Sequence, residues 1–153
     1  MDLAAWVLEA DPGPREDAGD HIMIHHVSRG TSTLWRRTPG TLLPPAIEVL
    51  GPYEMWDGAD LFSSAFKLAA VAGARSLGGV AITPTFVDLQ REAAASGWQV
   101  SSGAVPFMLG SGQWLYAATP SGLILEFDLE EKTTGSEFQS LEQVLEEWLE
   151  NVV

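Results

Sequence analysis

The last third of the chain constrains the fold most. Val105–Leu109 and Trp114–Ala118 are two runs of strand-forming residues bounded by glycine. Thr119-Pro120-Ser121-Gly122 then joins the second run to Leu123–Phe127. Proline sets one backbone dihedral and glycine accepts positive φ, so these four residues turn the chain and pair Leu123–Phe127 back as a hairpin. Past the acidic loop Asp128–Lys132, Phe138, Leu141, Val144, Leu145, Trp148, Leu149 and Val152 recur at helical spacing. Glu142, Glu146, Glu147 and Glu150 fall largely between them, and Ser140 with Gln143 forms a capping box. An amphipathic helix with one apolar face must lie on those strands, which makes the fold class α+β.

Upstream, the signals are shorter. Leu3, Trp6 and Val7 suggest a helix capped by Asp2 and ended by Asp11-Pro12-Gly13-Pro14. Arg15–Asp20 reads as polar loop, and His21–Val27 as a strand with alternating β-branched residues. Ser28–Gly40 is turn-rich. Leu42-Leu43-Pro44-Pro45 opens a helix that runs to Leu50. Trp56–Asp60 reads as a turn before Leu61-Phe62, Phe66–Leu68 and Val80–Ile82 as short strands, and Val87–Ser96 as a helix stopped by Gly97. No repeat and no linker divides the chain, so residues 1–153 read as a single domain: a mixed or antiparallel sheet with flanking helices.

Charge narrows the partners. Eight Lys and Arg against twenty-one Asp and Glu give −13. Nucleic acid is disfavoured because phosphate binding needs clustered bases, and an anionic membrane surface for the same reason. A basic protein partner remains allowed, and opposite charge would speed its encounter. From Glu126 to the end there are nine acids and one base, so this stretch carries −8. Its helix has either a simply solvated outer face or an electrostatic docking face. Phe66–Ala74 is too short to span a bilayer, and Met1–Leu8 does not read as a signal peptide. The expected location is cytoplasmic.

Catalytic chemistry finds little support. There is no cysteine, hence no disulfide, thiolate nucleophile or thiolate metal ligand. His25 and His26 point to opposite faces of a strand, while His21 and His25 share a face about 13 Å apart, too far for one ion. No metal site and no cofactor are expected. Glu54 with Asp57, Asp57 with Asp60 and Glu126 with Asp128 are close in sequence, but a hydrolytic pair must face across a cleft. Serine-elbow, P-loop and dinucleotide motifs are absent.

Order and spacing carry a resemblance. Leu43-Pro44-Pro45-Ala46-Ile47 followed by Trp56-Asp57-Gly58-Ala59-Asp60-Leu61-Phe62 is similar to the opening of the SUKH (SMI1/KNR4) superfamily. Val105-Pro106-Phe107, Trp114–Ala117, Ser121–Asp128 and Phe138 with its Leu-rich helix resemble that family's ending. The likeness spans residues 42–153; residues 1–41 are an N-terminal extension or a divergent start. It implies a SUKH-like fold and a non-catalytic binding protein. Many such proteins are bacterial immunity proteins that neutralise a cognate toxin, often a nuclease; others are regulatory or adaptor modules without a toxin. A nuclease is basic because it binds phosphate. The candidate docking acids are then Glu54, Asp57 and Asp60 in one loop with Asp128, Glu130 and Glu131 in another, and Trp56, if it does not plug the core edge, is the anchor. The oligomeric state and the role of the histidines stay open at this level.

Overall fold

The computed structural model describes residues 2–71 and 73–151. Helix α1 (Leu3–Ala10) is capped by Asp2, whose carboxylate accepts the Ala4 and Ala5 amides. Strands β1 (Arg15–Asp17), β2 (His21–His25) and β3 (Thr31–Arg36) follow as an antiparallel meander. A short α2 (Pro45–Glu48) and a 3-10 turn at Gly51–Glu54 lead into β4 (Trp56–Leu61) and β5 (Phe66–Leu68). The hairpin β6 (Ser76–Leu77) and β7 (Val80–Ala81) and helix α3 (Phe86–Ala95) form an excursion. The chain returns as β8 (Val105–Gly110), β9 (Trp114–Ala118), β10 (Ile124–Asp128) and β11 (Thr133–Phe138), and closes with α4 (Leu141–Asn151).

Nine strands make one antiparallel sheet in the order β1-β2-β3-β4-β5-β8-β9-β10-β11. Sheet and helices together are α+β. Alternation along each strand splits the apolar residues between two faces. On the front face, Ile22, Ile24, Leu34, Leu61, Phe66, Leu68, Met108 and Tyr116 pack under α1, α2 and α4. On the back face, Leu115, Ala117 and Phe127 pack under Leu89 and Ala93 of α3, and Trp98 stacks on Phe127 at 5.0 Å. Thr85 and Asp88 cap α3 reciprocally. No helix among the described residues is long and apolar enough to cross a membrane.

Four segments differ from the sequence expectation, one of them Thr133–Phe138, which is a strand ending in Phe138 rather than a loop with Phe138 in the final helix. Arg15–Asp17 is an edge strand rather than loop, because its backbone pairs with β2 while its side chains stay solvated. Within the stretch expected to be turns, Thr31–Arg36 is a strand whose Ser32–Trp35 is buried. Trp56–Asp60 is no turn: it is the buried strand β4, between β3 and β5. Its two aspartates look like turn residues in sequence, yet partners on neighbouring segments satisfy each of them.

The histidines have structural roles. His26 is buried, with one ring nitrogen bonded to the Asp11 carbonyl and Nε2 2.7 Å from Ser32 Oγ. It thereby ties the end of α1 to β3. His21 sits 2.6 Å from Asp20 and packs on Trp35, and His25 lies 3.2 Å from Glu16. Among the described residues no group of three potential ligands could hold a metal ion.

Candidate protein-binding site

The sheet register places the seven candidate residues. Leu61 pairs with Phe66, Phe66 with Gly110, Gly110 with Trp114, Trp114 with Asp128, and Asp128 with Thr133. These residues therefore share one end of the sheet, here the Asp128 end. Trp56 pairs with Arg36 at the opposite end, with Glu54 two residues before it, whereas Asp60, next to Leu61, lies toward the Asp128 end. Four strand steps, about 19 Å, also separate β4 from β10. The two acidic segments do not form one docking surface.

Burial removes four of the seven, Trp56, Asp57, Asp60 and Asp128, from any exposed surface. Trp56 is 4% exposed and plugs the core edge, with the Arg36 guanidinium 5.9 Å above its ring. Asp57 is 1% exposed; its carboxylate accepts the Val71 amide at 2.5 Å and Arg75 Nη2 at 2.8 Å. Asp60 is 6% exposed and accepts Ser64 N at 2.7 Å and Ser64 Oγ at 2.8 Å. These bonds hold a turn in which Phe62, Ser63 and Ser64 all have positive φ, at 53, 52 and 72°. Non-glycine residues are strained there, by about 1 kcal/mol or more each, and Asp60 secures the turn. Glu54 is exposed, but it lines a cleft of about 560 Å³ with Arg15, Arg36 and Arg37.

Burial raises the Asp60 pKa above its ordinary 3.8, against the opposing Ser64 bonds and Lys67. A raised folded pKa means that folding favours the protonated acid. Its stability contribution is full below 3.8 and is lost as pH rises through the folded value. Asp60→Asn keeps an acceptor for the Ser64 amide and removes the charge. We expect its stability at pH 7 to match or exceed the parent's, with the gap closing below the ordinary carboxylate range. Asp60→Ala should be less stable at both pH values. Urea titrations at pH 7 and pH 3.5 check this, and an Asn variant as unstable as the Ala variant at pH 7 would refute it.

Asp128, at the other end, organises the β10–β11 turn. Its carboxylate accepts the amides of Glu130 at 2.9 Å and Glu131 at 3.0 Å, and the Gln113 side chain. The backbone amides, foremost that of Glu131, hold its pKa below the usual range. The sequence reading placed Asp128 among the docking acids. Structurally it is the buried support that presents the exposed Glu130 and Glu131.

Helix α4 brings further acid to this end. It starts beside Phe138, which pairs with Ile124 at the Trp56 end. Eleven residues then carry it about 16 Å across the front face. Trp148 reaches the Asp128 end, stacking on Phe62 at 5.2 Å and meeting Phe66 edge-on at 5.4 Å. Ser140 Oγ accepts the Gln143 amide, while Gln143 reaches back to the Gln139 amide, a shifted form of the expected box. Glu146, Glu147 and Glu150 are exposed, and the last turn has no basic residue. Acids there oppose the helix dipole, and Glu146 with Glu150 is a like-charge pair at i, i+4. Glu150→Lys should therefore raise stability by about 0.3–1 kcal/mol, read as a higher melting temperature at low salt. A lower melting temperature would mean that Glu150 has a stabilising role.

Between α4 and the sheet lies a cavity of about 180 Å³ that the sequence did not reveal. Phe66, Trp114, Tyr116 and Trp148 line it together with the carboxylates Glu126 and Glu147. Tyr116 is pushed well above its usual pKa, first by burial and then by the neighbouring Glu126, so its hydroxyl stays protonated. Glu126 Oε1 accepts the Ser136 amide at 3.2 Å. The available signal was the position of Glu126: a carboxylate inside the apolar run Leu123–Phe127, on the side facing Tyr116. No family model matches the chain, and neither a curated protein nor a solved structure does.

Proposed function

We propose that this is a SUKH-like, non-catalytic binding protein that acts in the cytoplasm. It neutralises a basic toxin domain, of nuclease type, by covering it directly. One observation carries the reading: Glu130, Glu131, Glu147 and Glu150 approach the same end of the sheet, and no described residue forms an ion pair with any of them. Folding alone does not call for unpaired acid at the negative end of a helix. A basic partner would offset that repulsion on binding. The resemblance of residues 42–153 to immunity proteins supports the same reading.

An adaptor module without a toxin is the second reading. The cleft of Arg15, Arg36 and Arg37 with Glu54 favours it, because this mixed surface suits a partner of ordinary charge. Binding to the protein encoded in the adjacent reading frame separates the two. A toxin-neutralising binder should form a tight complex that weakens steeply between 50 and 300 mM salt, roughly as Debye screening sets in. An adaptor should show weak salt dependence. Absence of a complex at low salt would refute the toxin reading.

A further inference from the structure

The two edges of the sheet are not equivalent. β1 has three residues, all charged, and Pro12 and Pro14 precede it. Short length, charge and proline are the usual protections of an edge against further pairing. β11 has six residues and no proline, Glu137 is its one charged residue, and its single irregularity is a bulge that sets Gly135 and Ser136 opposite Glu126. Thr133 to Glu137 are all exposed. An edge strand leaves alternate N–H and C=O groups unpaired, so on either side of the bulge, where Glu126 accepts the Ser136 amide, β11 is a template for another strand.

Both faces beside this edge are hollow. The front cavity holds Glu126, Glu147, Tyr116 and Trp148. On the back, a second hollow of about 280 Å³ lies between Trp98, Leu125 and β11, and Glu126 also borders it. Successive side chains of an added strand would point alternately toward the two. Gly135 opens the way to the front cavity, because a β-carbon there would run into the Glu126 carboxylate. No side chain of β11 stands between that carboxylate and the edge at this position. Among the described residues no cation pairs with Glu126 or Glu147.

We propose that β11 receives an extended segment of the partner protein bearing Lys or Arg, which joins the sheet as a further strand and seats one cationic side chain beside Glu126 among the rings of Tyr116, Trp114 and Trp148. Main-chain bonds along the edge supply affinity, and the alternating side chains supply specificity. The aromatic faces and two carboxylates attract a Lys or Arg head group. A second copy of this chain does not suit the edge, because residues 126–153 of both copies, at −8 each, would meet. The proposal rests on the reading of a basic partner and adds the mode of docking.

The test uses the full chain and a synthetic heptapeptide alternating threonine with arginine. Two further versions carry N-methyl groups on one or the other set of alternate backbone nitrogens. Binding is read from backbone amide NMR shifts and the dissociation constant. The unmodified peptide should shift the amides of Thr133–Glu137. One N-methylated version should lose about tenfold or more in affinity, and the other should bind nearly normally. Glu126→Gln and Glu147→Gln, which keep side-chain size, should each weaken the unmodified peptide, by up to about tenfold for Glu126→Gln. Equal binding of all three peptides would overturn strand addition. So would shifts confined to α4, or no binding of the unmodified peptide. None of these results touches the basic-partner reading, which the complex with the whole neighbouring protein tests separately.

Discussion

Asp57→Ala is expected to destabilise the protein by about 3–5 kcal/mol, the range for breaking a buried pair by removing one member. Asp57 is the second residue of β4. Its side chain accepts the Val71 amide and Arg75 Nη2, and Arg75 Nε adds a 3.3 Å bond to the Asp57 carbonyl. These bonds pin the excursion that carries β6 and β7 to the middle of the sheet. Truncation leaves the half-buried Val71 amide and Arg75 guanidinium short of their partner. The loss is a large share of the roughly 5–15 kcal/mol that holds an ordinary domain together. Urea unfolding should show a lower midpoint with an unchanged slope. Arg75→Ala should act in the same direction, and the double variant should lose less than the two single losses added. A binding defect with unchanged stability would instead restore Asp57 to the docking surface.

Reversing Glu130, Glu131, Glu147 and Glu150 together to Lys is expected to leave the fold intact and abolish electrostatic steering. Each reversal adds two charges, so the four take the net charge from −13 to −5. The association rate with a basic partner should fall by about a hundredfold at low ionic strength, within the 10–10³ range of steered encounters. The difference should shrink at high salt as the parent loses its advantage. Stability should rise slightly, since two of the reversals relieve the unfavourable end of α4. Weaker binding with unaltered or greater stability is the expected pattern for a surface under functional demand. Stopped-flow association at 20 and 300 mM salt separates this from a folding defect. Equal rates for parent and variant at low salt would remove the acidic surface from the account.

The final hairpin was legible because its local signals agree. Thr119 and Gly122 close the turn, with the Gly122 amide on the Thr119 carbonyl and Gly122 at φ 91°, and β9 and β10 flank it where the apolar runs fall. Helix α4 was legible from its period. β4 was not, because Asp57, Gly58 and Asp60 are turn formers by local propensity. Partners outside the strand, among them Arg75 and the Val71 amide for Asp57 and Ser64 for Asp60, make those carboxylates tolerable inside a sheet. β11 escaped for the converse reason. Thr133–Glu137 has solvent on both faces, so it carries no apolar alternation, and its pairing with β10 alone defines it. Glu130 and Glu131 were legible as exposed acid. Their company was not: a linear reading joined them to Glu54 and Asp57, whereas the register joins them to the end of α4. The cavity around Glu126 arises from six separate elements, and no local pattern announces it.

The most direct test of the account is growth of cells that express the toxin-like protein encoded beside this chain. Co-expression of the parent chain should restore growth, and the four-site Lys variant should fail to do so although it accumulates as a folded protein. Rescue by the variant as effective as that by the parent would contradict the acidic docking surface. No rescue by the parent, with no complex recovered, would contradict toxin neutralisation itself.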